Sequence, residues 1–205
     1  KKGSIDKLIK LKPEKTIALL LLKNKIDFVA IDPAVTNTDE SNEHGILVVG
    51  CKGDKAFVLE DGSMSGTPNQ WAKRSLSLYD KWDADLIVAE VNQGGDMVAN
   101  TIKSIRQNIN VQQVRATRGK HKRAEPVASL YEQGRVSHVG AFSELEDQMI
   151  LFTNAGWMGE TGSPDRCDAL VWGLTYLFPS IIRKKETVIV KPIKTRSPFS
   201  KTGRR

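Results

Sequence analysis

Cysteine is almost missing from this 205-residue chain, with only Cys51 and Cys167 present. The two make neither a C-x-x-C pair nor a bridging framework, which argues against a disulfide-stapled scaffold and against zinc held by thiolates, and makes a reducing compartment the expectation. Long apolar runs are missing too: no stretch reaches 18 residues, and the longest plain run, TIALLLL at 16–22, is too short to span a bilayer. Lys23 and Lys25 follow it without a small-residue cleavage pattern, so a buried segment is expected there rather than a membrane anchor or secretion signal. There is no internal repeat, and His44, His121 and His138 have no companion residues at zinc-ligand spacing. What is present, 40% hydrophobic and 27% charged residues, excludes a collagen-like chain, a coiled-coil rod and wholesale disorder, and the length suits one ordinary domain.

The formal net charge of +7 is unevenly spread. Residues 1–25 hold eight basic and two acidic groups, the nine residues RATRGKHKR at 115–123 hold five basic and none acidic, and residues 181–205 hold nine basic against Glu186. Taking +6, +5 and +8 from the total leaves −12 for the rest of the chain. An acidic body with basic segments suits a nucleic-acid enzyme whose carboxylates hold metal ions while lysines and arginines meet phosphates; a solvated surface or a disordered basic tail would give a similar count.

Pattern along the chain predicts an α/β domain over 26–180, between a basic lead-in at 1–25 and a basic tail at 181–205. IDFVAI at 26–31, HGILVVGC at 44–51 and AFVLE at 56–60 read as strands, the last two joined by a tight turn at 52–55, so an antiparallel three-strand meander is expected. A helix follows over 69–80, with Pro68 at its start. The strand ADLIVA at 84–89, a helix over 94–106 and a short strand at 111–114 come next. The basic segment reads as a loop before a helix over 123–133, on the condition that Pro126 lies in the first turn, with Gly134 as its stop. A short edge strand over 135–138 and a helix over 143–152 with Ser143 as N-cap follow. The glycine-rich stretch 154–163 reads as a loop, and a final helix runs from Asp165 until Pro179 stops it.

Within that frame three acids stand out. Asp32 and Glu90 each follow an apolar strand directly, and the carboxyl ends of adjacent parallel strands form the usual functional crevice of an α/β sheet. Asp168 sits near the start of the apolar final helix, where a carboxylate is costly unless a cation accompanies it. Three such acids could hold two Mg²⁺ or Mn²⁺ ions about 3.5–4 Å apart, an arrangement that hydrolyses phosphodiesters. Asp165, one helical turn before Asp168, is either a fourth ligand or an acid favoured by the helix dipole. For Asp32 and Glu90 the plain alternative is an acid capping a turn.

The segments VAIDPAVT (29–36), GILVVG (45–50), IVAEVNQGG (87–95), GKHKRAEPVA (119–128), LYEQGRVSHVG (130–140) and DRCDALVWGL (165–174) together resemble the C-terminal nuclease domain of the large terminase subunit of tailed bacteriophages. The resemblance spans residues 26–178 and implies a ribonuclease-H-like fold: a mixed sheet with the antiparallel meander followed by parallel strands, flanked by helices. It implies a two-metal endonuclease that cuts concatemeric double-stranded viral DNA during genome packaging, with Asp32, Glu90 and Asp168 as catalytic and metal-binding acids and Asp165 in an accessory place. It further implies a packaging ATPase domain, the portal and the small terminase subunit as partners, and action in the host cytoplasm on the procapsid. The chain itself holds no G-x-x-x-x-G-K-[ST] phosphate loop and begins without methionine, as expected of an excised nuclease domain.

Arg118, Lys120, Lys122 and Arg123 are the candidate phosphate contacts, Lys120 and Arg123 foremost, because flexible cations beside a glycine suit a DNA backbone. Trp157 reads as a buried anchor or a stacking platform, and Trp172 as core. Two other functions fit the same residues: a Holliday-junction resolvase or transposase-like nuclease, and a DNA-binding packaging module whose acids are structural.

Overall fold

The computed structural model describes residues 26–33, 43–91, 96–116, 119–153, 156–159 and 163–179. The lead-in at 1–25, the tail at 181–205 and Arg118 lie outside the described residues.

Strand β1 (Ile26–Asp32) pairs antiparallel with β2 (Glu43–Lys52), which pairs antiparallel with β3 (Lys55–Asp61), so the expected meander is present. Gly53 opens the two-residue turn between β2 and β3 with φ +64°, the left-handed value that the first position of a type II′ hairpin turn requires. On the other side of β1, strand β5 (Leu86–Glu90) runs parallel to it, and β6 (Val111–Val114) parallel to β5. Strand β7 (Val136–His138) adds a parallel edge to β3, and β4 (Met64–Ser65), too short for any sequence pattern, pairs with β2. The main sheet therefore runs β6-β5-β1-β2-β3-β7 among the described residues. This is the ribonuclease-H-like arrangement of a meander extended by parallel strands.

Alternation along the central strands divides the core into two layers. Val29, Ile31, Ile46, Val48 and Ile87 face helices α1 (Pro68–Trp82) and α2 (Met97–Ile105), while Phe28, Leu47, Val49 and Val88 face the opposite layer. That second layer is built by α3 (Lys120–Glu132), α4 (Ser143–Leu151) and α5 (Asp165–Leu177). Strands β1 and β5 are covered on both faces, which explains their unbroken apolar runs. Helix α5 lies directly on β1 and β2 and buries Leu170, Val171 and Leu174 against them, each worth about 1.5–3 kcal/mol.

Three local expectations are corrected. Residues Lys120–Arg123 belong to the first turn of α3 and not to a loop, so Pro126 lies inside the helix and not in its first turn. The helix tolerates it because proline removes only one backbone donor, and the buried Val127 and Leu130 just beyond that gap hold the helix to the core. Ser143 is the first helical residue of α4, with Phe142 as N-cap, and Glu146 reaches back to accept the Phe142 N–H at 3.3 Å. The stretch 154–163, read as a loop, contributes β9 (Gly156–Trp157), which pairs with β8 (Phe152–Thr153) at the end of the expected helix over 143–152. Gly134, at φ +63°, follows α3 as anticipated.

Candidate metal centre

The parallel pairing of β1 with β5 aligns Ile31 with Ala89, so Asp32 and Glu90 are the next residues in register at the carboxyl ends of neighbouring strands. Both are buried. The third contribution comes from the first turn of α5, where Asp165 and Asp168 project from one helical face. Helix and sheet approach closely here because Gly45, the β2 partner of Asp32, has no side chain: a Cβ at that position would lie 1.9 Å from the Asp165 carbonyl oxygen.

One carboxylate oxygen from each of Asp32, Asp165 and Asp168 lies within 4.8 Å of the other two. Among the described residues this is the group of side chains disposed to hold a metal ion. Burial raises the Asp32 carboxyl well above its usual range, and repulsion from Glu90 and Asp168 adds to the effect. Asp165 and Asp168 are raised as well, chiefly by burial, although Ser163 donates its hydroxyl to Asp165 and Lys120 draws both downward.

Glu90 stands beside this trio, near enough to repel Asp32, and its two oxygens turn toward other donors. Its Oε1 accepts from Arg123 Nη1 at 3.4 Å and its Oε2 accepts from the Trp172 indole N–H. The Arg123 guanidinium sits 4.3 Å from the Trp172 ring centroid, so cation, carboxylate and indole form one buried unit. The structure thus brings all four predicted acids together and places Asp165, rather than Glu90, in the tightest group.

The predicted cations separate. Lys120 donates from Nζ to Asp168 Oδ2, with its side chain 47% exposed. Burial works against its charge, but Asp168, Asp32 and Asp165 together more than offset this and hold its ammonium above the usual lysine range. Lys122 is exposed. Arg123, anticipated as a flexible phosphate contact, is instead buried against Glu90 and Trp172, because the helix begins early enough to turn it inward.

Several residues at the site escaped sequence reasoning. Trp172 does lie in the core as expected, but its indole N–H serves Glu90, a role that an apolar helical face cannot reveal. Arg166, between the two helical acids, is buried and spans three elements: Nη2 meets Glu43 Oε1 at 2.8 Å and Glu144 Oε2 at 2.6 Å, and Nε lies 3.4 Å from Asp61 Oδ2. Gln148 on α4 accepts the Cys167 N–H at 3.2 Å, one of the unpaired donors of the α5 first turn. A charged residue amid an apolar helix was the one available signal for Arg166. His44 is buried in β2 with Nε2 2.8 Å from the Gly66 carbonyl oxygen, and Trp157 is half-buried.

Comparison with known proteins bears on this geometry. Residues 29–177 match the family model described as a terminase RNaseH-like domain. No curated protein matches the chain by sequence. Among solved structures, the large terminase nuclease of thermophilic phage G20c with bound magnesium is similar at a TM-score of 0.60 and 18% identity, over 75% of this chain and 82% of that one. The human cytomegalovirus terminase nuclease domain is similar at 0.54 and 17%, over 75% and 82%. The large terminase of thermophilic bacteriophage D6E is similar at 0.55 and 15%, over 75% of this chain and 40% of that longer one. At these identities the structures speak for the shared fold.

Proposed function

This chain belongs to the family of terminase RNaseH-like domains, and on that premise we propose that it is a divalent-metal-dependent endonuclease that cuts double-stranded viral DNA concatemers during genome packaging. The observation that carries this reading is the convergence of Asp32, Asp165 and Asp168 oxygens within 4.8 Å, in a site that also holds Glu90. Four carboxylates face two cations there, Lys120 and Arg123, so full ionisation leaves an excess of two negative charges. Mutual repulsion in a buried setting and an all-oxygen donor set suit hard divalent ions such as Mg²⁺ or Mn²⁺. The G20c nuclease with magnesium, zinc or cobalt bound supports a divalent-metal site in general.

In this reading Asp32, Asp165 and Asp168 would hold one ion, and Glu90, oriented by Arg123 and Trp172, would offer a further oxygen to a second. When bound, two such ions would activate water and stabilise the departing 3′ oxygen of a phosphodiester. The chain's own residues do the rest. The buried floor of β1 and β5 keeps the acids out of bulk water, which strengthens their electrostatic action. Lys122, exposed on the α3 first turn, meets backbone phosphates without reading bases, so sequence preference is expected to be slight. We place this activity in the host cytoplasm on the procapsid, alongside a packaging ATPase, the portal and a small terminase subunit.

Plasmid nicking in Mn²⁺, Mg²⁺ and chelator tests the reading, with Asp32→Asn and Asp168→Asn beside the unaltered chain. Cutting should require the metal and vanish in both variants while their melting temperatures hold or rise, since each removes one of several crowded like charges. Metal-independent cutting, or cutting by both variants at the unaltered rate, would refute it.

A further inference from the structure

Two cations enter the carboxylate cluster from the same first turn of α3, three residues apart and therefore on one face, yet they are held in opposite ways. Arg123 is 8% exposed, stacked on Trp172 and paired with Glu90, a setting it cannot leave without abandoning a buried charge. Lys120 has one hydrogen-bonded partner among the described contacts, Asp168 Oδ2, its side chain is 47% exposed, and its four-carbon stem begins at the helix terminus beside the site mouth. The oxygen it occupies belongs to Asp168, one of the three acids disposed to hold a metal.

We propose that Lys120 is a resident counter-ion of the carboxylate cluster, and that an incoming divalent cation displaces it from Asp168. The inference rests on the metal-dependent reading above and adds the identity of what the metal must evict. A unit positive charge at hydrogen-bond distance from Asp168 neutralises part of the cluster in the metal-free protein and repels a divalent ion approaching the same oxygens. Exchange is feasible because a lysine stem is flexible and its ammonium here already borders solvent. Arg123, lacking that freedom, stays and keeps Glu90 oriented. The freed ammonium of Lys120 then lies at the mouth of the site, available to a phosphate oxygen of the scissile strand.

The test is Mn²⁺ binding without DNA, measured by titration calorimetry and by the Mn²⁺-induced rise in melting temperature, on the 205-residue chain and its variants. Lys120→Met and Lys120→Gln should bind Mn²⁺ tighter by about tenfold or more, from removal of the charge repulsion, and should gain more thermal stability from Mn²⁺ than the unaltered chain does. Lys120→Arg, which restores a cation, should return the affinity to near or below the starting value. Equal or weaker binding in both neutral variants, with Mn²⁺ still bound by the unaltered chain and lost in Asp168→Asn, would overturn the counter-ion role and leave the metal site standing. Failure of the unaltered chain and the neutral variants alike to bind Mn²⁺ would overturn both.

Discussion

Replacing Gly45 by alanine would test whether the spacing of α5 from the sheet, and not the mere presence of acids, makes the metal centre. The added Cβ would lie 1.9 Å from the Asp165 carbonyl oxygen and 3.1 Å from the Ala169 Cβ. The first obstacle is helix backbone, which cannot rotate aside as a side chain could. Restoring an ordinary contact of about 3.4 Å from 1.9 Å requires α5 to retreat by about 1.5 Å at its first turn, where Asp165 and Asp168 are carried. Overpacking of this kind costs about 1–3 kcal/mol of stability. A 1 Å misplacement of catalytic groups costs on the order of a hundredfold in rate. Gly173→Ala supplies the comparison, because its Cβ would meet Val49 Cγ2 at 2.8 Å and Ala30 Cβ at 3.2 Å, two turns further along the same helix. Urea unfolding, Mn²⁺ calorimetry and plasmid nicking on both variants separate the effects. Gly45→Ala should lose metal affinity and cutting well beyond its loss of stability, whereas Gly173→Ala should lose stability with a smaller change in metal affinity. If Gly45→Ala remains folded with unaltered Mn²⁺ affinity and cutting, the close approach does not set the site.

Two further expectations concern charge. Burial raises the carboxyls of Asp32, Asp165 and Asp168, so the folded metal-free protein keeps protons that the unfolded chain releases near about pH 4. Stability from this source is complete below that pH and is lost as pH rises through the raised values, while bound Mn²⁺ favours the ionised forms. The Mn²⁺-induced rise in melting temperature should therefore grow with pH above about 4, and a rise independent of pH would contradict the assignment. Arg166→Gln removes a guanidinium whose side chain is 7% exposed and leaves Glu43 and Asp61 without it. The loss should lie toward the lower end of about 3–5 kcal/mol in urea unfolding, because the third partner, Glu144, is 74% exposed and readily hydrated; a change within about 0.5 kcal/mol would refute the clamp.

The elements most legible in the sequence were those whose signal is local. Strands β1, β2, β3 and β5 announce themselves because alternation or continuous burial acts on each residue in turn. The start of α3 was missed for an equally local reason: proline and a run of positive charge both speak for a loop, but Leu130 and Val127 pack on the sheet strongly enough to carry the helix back to Lys120. Asp32 and Glu90 were found as strand ends, since an acid directly after four apolar residues is visible without coordinates. Trp172 was not, because a buried indole with a partner and one without it look alike along a helix.

From residue order alone came the strands of the meander and the four acids, because hydrophobic periodicity marks where backbone segments run and end, while the parallel extension came from the resemblance to the family. Tertiary structure alone decided which acids converge most tightly, that Glu90 turns to Arg123 and Trp172, and that Lys120 enters the cluster while Arg123 becomes part of the core. Those outcomes depend on how near α5 comes to β2 and how α3 is rotated against α5. Such distances are set by groups as remote in sequence as Gly45 and Asp165, whose contact no spacing along the chain encodes.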